Sequence, residues 1–267
     1  MADNLIQALL GHYPSGLRSD VSFAPPLTLP RIVGRTPVSE ALAAYAQALE
    51  AADADVVLKD DRLDGAIFTG DIDGRSAQVV ALAERDDAGL IARIDMYGRP
   101  WPFMALVREH LRQGRPDLTD ARLGVEPYVP EGPGNGWIDA PQIPPLADDV
   151  SFYSPILTAV ATGRDINQRI LAAASKVYGQ QAFRAVLQVD GRAAVAGVFD
   201  GTVDGHTLQL VAMFTLNADS EIAEIRIFSR PWPVTAHFRA AMYELLKDAL
   251  GPEFWQGPDP LAPISDQ

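Results

Sequence analysis

Apolar and polar positions along this chain follow two alternating rhythms, and each rhythm occurs twice. Val38, Leu42, Tyr45 and Leu49 recur at the three-to-four-residue spacing of an amphipathic helix, opened by Thr36-Pro37 as a cap with proline at the first helical position. Ile166, Ile170, Ala174 and Tyr178 form a related stripe, with Asp165 as its expected cap. Elsewhere the period is two, the signature of strands. Short β-like runs are expected at Asp55–Lys59 and Ala185–Val189. Hairpins are expected at 66–83 and 193–216, turning on Asp73-Gly74 and Asp204-Gly205, and final strands at Leu90–Tyr97 and Ile222–Phe228. A short amphipathic helix closes each set, near 102–112 and 234–249.

The two sets are copies. Asp20-Val21-Ser22-Phe23 returns as Asp149-Val150-Ser151-Phe152, Gly34-Arg35 as Gly163-Arg164, and Leu42-Ala43-Ala44 as Leu171-Ala172-Ala173, all at an offset of 129. Phe68, Asp73-Gly74, Ile94, Arg99-Pro100-Trp101-Pro102 and Arg108 return as Phe199, Asp204-Gly205, Ile225, Arg230-Pro231-Trp232-Pro233 and Arg239, at an offset of 131. A two-residue insertion therefore lies between 173 and 199, and the loop after the first long helix is its expected place. A repeat this long is a whole domain rather than a solenoid unit. The expected domains are 1–113 and 149–250. They are joined by a linker at 114–148 that holds seven prolines and five glycines, and followed by a Pro-rich tail at 251–267. Trp137, Phe254 and Trp255 imply that linker and tail dock on the surface.

The order of a short strand, a helix and then a curled antiparallel sheet is an α+β pattern. It resembles the nuclear transport factor 2-like superfamily, and within it the SnoaL-like proteins, over residues 20–112 and 149–249. The resemblance implies two tandem cone-shaped barrels, each a curved antiparallel sheet wrapped on helices, paired within the chain as a pseudo-dimer. It also implies an apolar pocket in each cone, lined by Phe23, Ile94, Met96, Tyr178, Ile225 and Ile227. Both copies depart from the family in lacking most of its long first helix. Three places where members carry a catalytic acid hold none here: Pro25 and Ser154 in the first loop, Ala81 and Ala212 in the penultimate strand, and Met96 and Ile227 in the last.

Composition narrows the function. A formal net charge of −13 argues against nucleic acid and anionic membrane as partners. No apolar run is long enough for a membrane span, no signal-peptide pattern opens the chain, and no cysteine is present, which fits a cytoplasmic setting. None of the four histidines (His12, His110, His206, His237) forms a pair at metal-ligand spacing, and Asp60-Asp61 falls in an expected loop, so neither a metal nor a cofactor is expected. The expected partner is a small hydrophobic molecule, either bound or converted by lyase, dehydratase or isomerase chemistry without a cofactor. The alternative is a non-catalytic ligand-binding or protein-interaction module. Further homo-oligomerisation is left open.

Four residues are catalytic candidates. Tyr45 faces the sheet and brings a hydroxyl to the first cone, although a core tyrosine would present the same pattern. Tyr153 and Ser154 replace the family's loop acid, although turn chemistry accounts for them too. Asp95 lies on the face of the last strand that also holds Arg93 and Tyr97, opposite Ile94 and Met96. In the second copy Glu224 and Arg226 stand at the places of Arg93 and Asp95, with the charges exchanged. That exchange suits an interface between the halves, Asp95 against Arg226 and Arg93 against Glu224, better than it suits a catalytic Asp95.

Overall fold

A computed structural model describes residues 14–28, 30–49, 54–59, 63–72, 74–119, 143–179 and 181–258. The expectations for Trp137, His12, Asp60, Asp61, Asp73, the missing first helix and most of the linker lie outside these residues.

The first half runs β1 (Leu17–Ala24), β2 (Ile32–Val33), α1 (Arg35–Ala48), β3 (Ala54–Lys59), β4 (Leu63–Ile72), β5 (Arg75–Arg85), β6 (Ile91–Arg99) and α2 (Trp101–Gly114). The second repeats the order as β7 (Leu146–Tyr153), β8 (Ala161–Thr162), α3 (Arg164–Val177), β9 (Gln181–Val189), β10 (Ala194–Val203), β11 (His206–Leu216), β12 (Ile222–Arg230) and α4 (Trp232–Leu246). The closing helices and last strands therefore begin or end up to three residues away from the expected bounds.

Glycine opens both long helices, where Thr36 and Asp165 were the expected caps. Gly34 and Gly163 sit at φ of 105° and 107° as the N-caps, with no side-chain cap bond. Each donates its N–H to the first strand, Gly34 to the Val21 carbonyl at 2.8 Å and Gly163 to the Val150 carbonyl at 2.9 Å. The arginine that follows ties the same strand: Arg35 Nε donates to Leu17 O and Arg164 Nε to Leu146 O. The repeated Gly-Arg pair is thus a helix-docking device, and a side chain at either glycine would be strained.

Strand register places the insertion. Val56 pairs with Ile67 and Ala185 with Val198, so β3 and β9 still correspond at 129 while β4 and β10 already correspond at 131. The two extra residues sit in the β9–β10 turn, not after the helix, because a hairpin turn absorbs length without shifting either strand's inward face.

The twelve strands form one sheet in the order β2-β1-β6-β5-β4-β3-β9-β10-β11-β12-β7-β8. β3 joins β9 at Leu58–Val189, and the sheet returns on itself where Gly98 of β6 pairs with Ser229 of β12. Two six-stranded curved faces therefore oppose each other. Between them lies a separate apolar core that includes Leu58, Ile67, Val80, Tyr97, Leu187, Val211, Met213 and Phe228. On the concave faces a larger core takes in α1 to α4. Sheet and helices approach closely at Gly70, where a Cβ would collide with Leu49 O at the end of α1, and at Gly98, where it would lie 2.7 Å from Met104 Sδ of α2. Among the described residues no helix is long and apolar enough to cross a membrane.

Candidate functional site

Strand alternation divides the candidates between two places. Ile94 and Met96 belong to the concave core with Phe23, Tyr45 and Ile225, and Ile227 and Tyr178 pack against it. Asp95 and Tyr97 point the other way, into the region between the halves, and so does Tyr153. The four catalytic candidates are not brought together.

Tyr45 is fully buried in the first half, edge-on to Phe23 with ring centroids 6.0 Å apart. Its hydroxyl lies near the Leu27 backbone but forms no hydrogen bond of normal geometry, and burial pushes its pKa well above the ordinary tyrosine value. Ser154 is buried, and its Oγ accepts the Ile156 N–H at 3.1 Å and the Leu157 N–H at 3.3 Å. That is a serine turn, and its lone pairs are already used. Tyr153 lies against two guanidiniums, Arg99 at 5.3 Å and Arg226 at 5.1 Å from its ring centre.

Asp95 is 7% exposed, with Oδ1 2.6 Å from Arg31 Nη2 and Oδ2 2.7 Å from Arg93 Nη2. Burial pulls its pKa upward, but Arg93, Arg31 and Arg230 together outweigh burial and hold it at about 2. A carboxylate held so firmly ionised is a poor proton acceptor at neutral pH. The expected cross-half pairs are replaced by pairs within each half: Asp95 bonds Arg31 and Arg93, and Arg226 Nε lies 2.9 Å from Glu224 Oε1. Residues two apart share a strand face, and an arginine is long enough to close that distance without leaving its own strand.

The repeated Arg-Pro-Trp-Pro corners do meet across the halves. Trp101 and Trp232 stack at 4.8 Å with their planes 12° apart, and Trp101 Nε1 donates to Trp232 O at 3.0 Å. Arg239 covers the outer face of Trp101 and Arg108 that of Trp232. Arg99 Nε donates to Ser154 O and Arg230 Nε to Pro25 O, each in the opposite half, while Gln78 and Gln209 accept from the Nη1 atoms of Arg99 and Arg230 respectively. Nearby, Asp200 is buried beside Gln209 and Arg184, and desolvation raises its pKa above the usual carboxylate value.

The two concave faces differ in how far they are sealed. In the first half Leu49, Phe68, Ala83 and Met96 are at most 3% exposed. Their counterparts Tyr178, Phe199, Phe214 and Ile227 are all half-buried. Around them stand Phe183, 5.3 Å from Phe199, and Phe238, stacked on Tyr178 at 4.7 Å. Asn167 is fully buried at the place of Val38, and its Nδ2 donates to the carbonyls of Val150, Ala161 and Gly163. The sequence signal for Phe199 and Phe214 was available, since both alternate onto the face of Ala212. Arg31, Arg184, Asp200 and Gln209 carried no local signal. Among the described residues no cluster of three or more His, Asp or Glu side chains is placed to hold a metal.

No family model and no curated protein matches the chain. Similar solved structures are of the nuclear transport factor 2-like and ketosteroid isomerase-like kind that the sequence resembles. An uncharacterised bacterial protein with a cystatin-like fold from Silicibacter pomeroyi is 26% identical over 39% of this chain and 72% of its own, with a TM-score of 0.37. A steroid delta-isomerase from Pseudomonas aeruginosa is 24% identical over 39% and 75%, also at 0.37. A nuclear transport factor 2-like protein of unknown function from Burkholderia xenovorans is 17% identical over 36% and 78%, at 0.30. These overlaps add nothing to the site, which stands on the geometry above.

Proposed function

We propose that the chain is a fused pair of nuclear transport factor 2-like halves, at 1–113 and 149–250, in which the second half's cone binds a small apolar molecule. One observation carries this reading: four concave positions sealed in the first half are half-open and mostly aromatic in the second. Tyr178, Phe199, Phe214 and Ile227 offer apolar walls with a single phenol, the ordinary make-up of a small-molecule site. Binding is favoured over conversion. The positions that would carry an acid hold Ala212, Ser154 and Ile227, and the Ser154 hydroxyl is occupied by its turn. The first half then serves as a filled, supporting copy.

A titration with the neutral fluorophore N-phenyl-1-naphthylamine tests this. The expected result is binding at one site per chain. It is abolished by Ile227→Trp, which fills the second cone, and retained by Met96→Leu in the first. Two equivalent sites, or binding indifferent to Ile227→Trp, would refute it.

A further inference from the structure

A ring of contacts gathers one end of the second cone, beside the β10–β11 turn. Tyr178 stacks on Phe238 of α4 at 4.7 Å, and the next residue, Gly179, donates its N–H to Thr202 O of β10 at 2.8 Å. One step along, Val203 pairs with His206 of β11. By alternation His206 shares the concave face of β11 with Leu208 and Leu210. Its ring lies 6.2 Å from that of His237, the residue before Phe238 on α4. His206 and His237 thus stand beside the Tyr178–Phe238 wall of the cone.

Neither imidazole takes part in a hydrogen bond with any described residue. His237 as a whole is half-buried, yet its Nε2 is shut off from solvent and has no partner. Leaving a covered nitrogen unpaired costs stability. The first half avoids that cost, because Leu106 stands at the place of His237 and Leu49 at that of Tyr178. Arg75 takes the place of His206 and lies over the Phe103 ring, 5.6 Å from its centre. The second half has therefore exchanged two leucines for an imidazole and a phenol at the same end of its cone.

We propose that His237 selects the ligand of the second cone by hydrogen-bonding a hydroxyl on an otherwise apolar molecule. This rests on the second cone being the binding half. Neutral imidazole holds one donor and one acceptor nitrogen, and a hydroxyl can both donate and accept. A hydroxyl therefore satisfies Nε2 in either tautomer, whereas a carbonyl serves only one. Among apolar walls such a bond favours the hydroxylated molecule over its hydrocarbon parent, because the parent leaves Nε2 unpaired.

The test displaces N-phenyl-1-naphthylamine from the full chain with naphthalene and with 2-naphthol. A purely apolar cone prefers naphthalene, since burying a hydroxyl without a partner is penalised. The expected result is displacement by 2-naphthol at about a tenth of the naphthalene concentration, the worth of one hydrogen bond. His237→Leu, which installs the first half's residue, should reverse the order while naphthalene still competes. His237→Gln, which keeps a donor and an acceptor, should retain the preference for 2-naphthol. Dye binding with no preference for 2-naphthol, or a preference that survives His237→Leu, would overturn this role for His237 and leave the second cone as the binding half. Failure of the dye to bind at all would overturn both.

Discussion

Removing one tryptophan of the stacked pair should cost more than removing the other, although the two are copies. Trp101 is 1% exposed and Trp232 2%, so either change to alanine empties a comparable volume of core. Deleting a buried tryptophan costs about 3–5 kcal/mol, including the lost stacking. Only Trp101 also donates its indole N–H across the halves, to the Trp232 carbonyl, whereas Trp232 Nε1 has no acceptor. That bond adds roughly 1 kcal/mol. Trp101→Ala should therefore lose about 4–6 kcal/mol and Trp232→Ala about 1 kcal/mol less. Trp101→Phe, which keeps a stacked ring but not the donor, should lose about 1–3 kcal/mol. Urea denaturation reads all three, with comparable m-values required for the comparison. The double alanine variant should lose less than the two single losses combined, because the rings touch. A loss below about 2 kcal/mol for Trp101→Ala, or strict additivity, would refute the claim that this corner joins the halves.

Two further outcomes follow from buried charges. The Asp95 pKa of about 2 lies below its ordinary 3.8, so its stabilisation is present above about pH 4 and is lost as pH falls through about 2. Asp95→Asn should cost roughly 2 kcal/mol at pH 7 and almost nothing at pH 2, read as the difference between urea curves at each pH; a pH-independent difference would contradict the linkage. Arg239 is fully buried, and its Nη atoms donate to the carbonyls of Ile156, Trp255, Gln256 and Pro258. Arg239→Ala should release the 252–258 segment to limited proteolysis while the cleavage pattern elsewhere is unchanged, and an unaltered digest would count against its role as the tail's anchor.

Local pattern carried the elements and their faces. Alternation along β6 correctly separated Ile94 and Met96 from Asp95 and Tyr97, and Asp204-Gly205 forms its two-residue turn with both residues at positive φ. Phe254 and Trp255 dock as their apolar character implied, with Thr158 hydrogen-bonded to Glu253 O and its N–H to Phe254 O. Contacts that join residues far apart in sequence were not legible. Nothing local in Arg99-Pro100-Trp101 reveals that its arginine bonds Ser154 O or that its indole stacks on Trp232. The charge exchange between Asp95 and Arg226 was visible, but its meaning depends on Arg31, which a loop delivers from 64 residues away. The helix caps were misread because Thr36 and Asp165 look like caps, while the cap position belongs to a glycine whose φ only the docked strand requires. A pocket was expected in both cones, and that Phe23, Ile94 and Met96 of the first are sealed while Tyr178 and Ile227 of the second are half-buried was not legible for a related reason: sequence pattern marks a face as apolar, but whether neighbouring side chains fill it is a matter of packing.

Xenon pressurisation of crystals of the full chain tests most directly whether one half has become the binding half and the other its support. Xenon occupies apolar space without needing the natural ligand. The account predicts xenon among Tyr178, Phe199, Phe214 and Ile227 of the second half and none behind Leu49, Phe68 and Met96 of the first. Equal occupancy of both cones, or occupancy of the first alone, would contradict it.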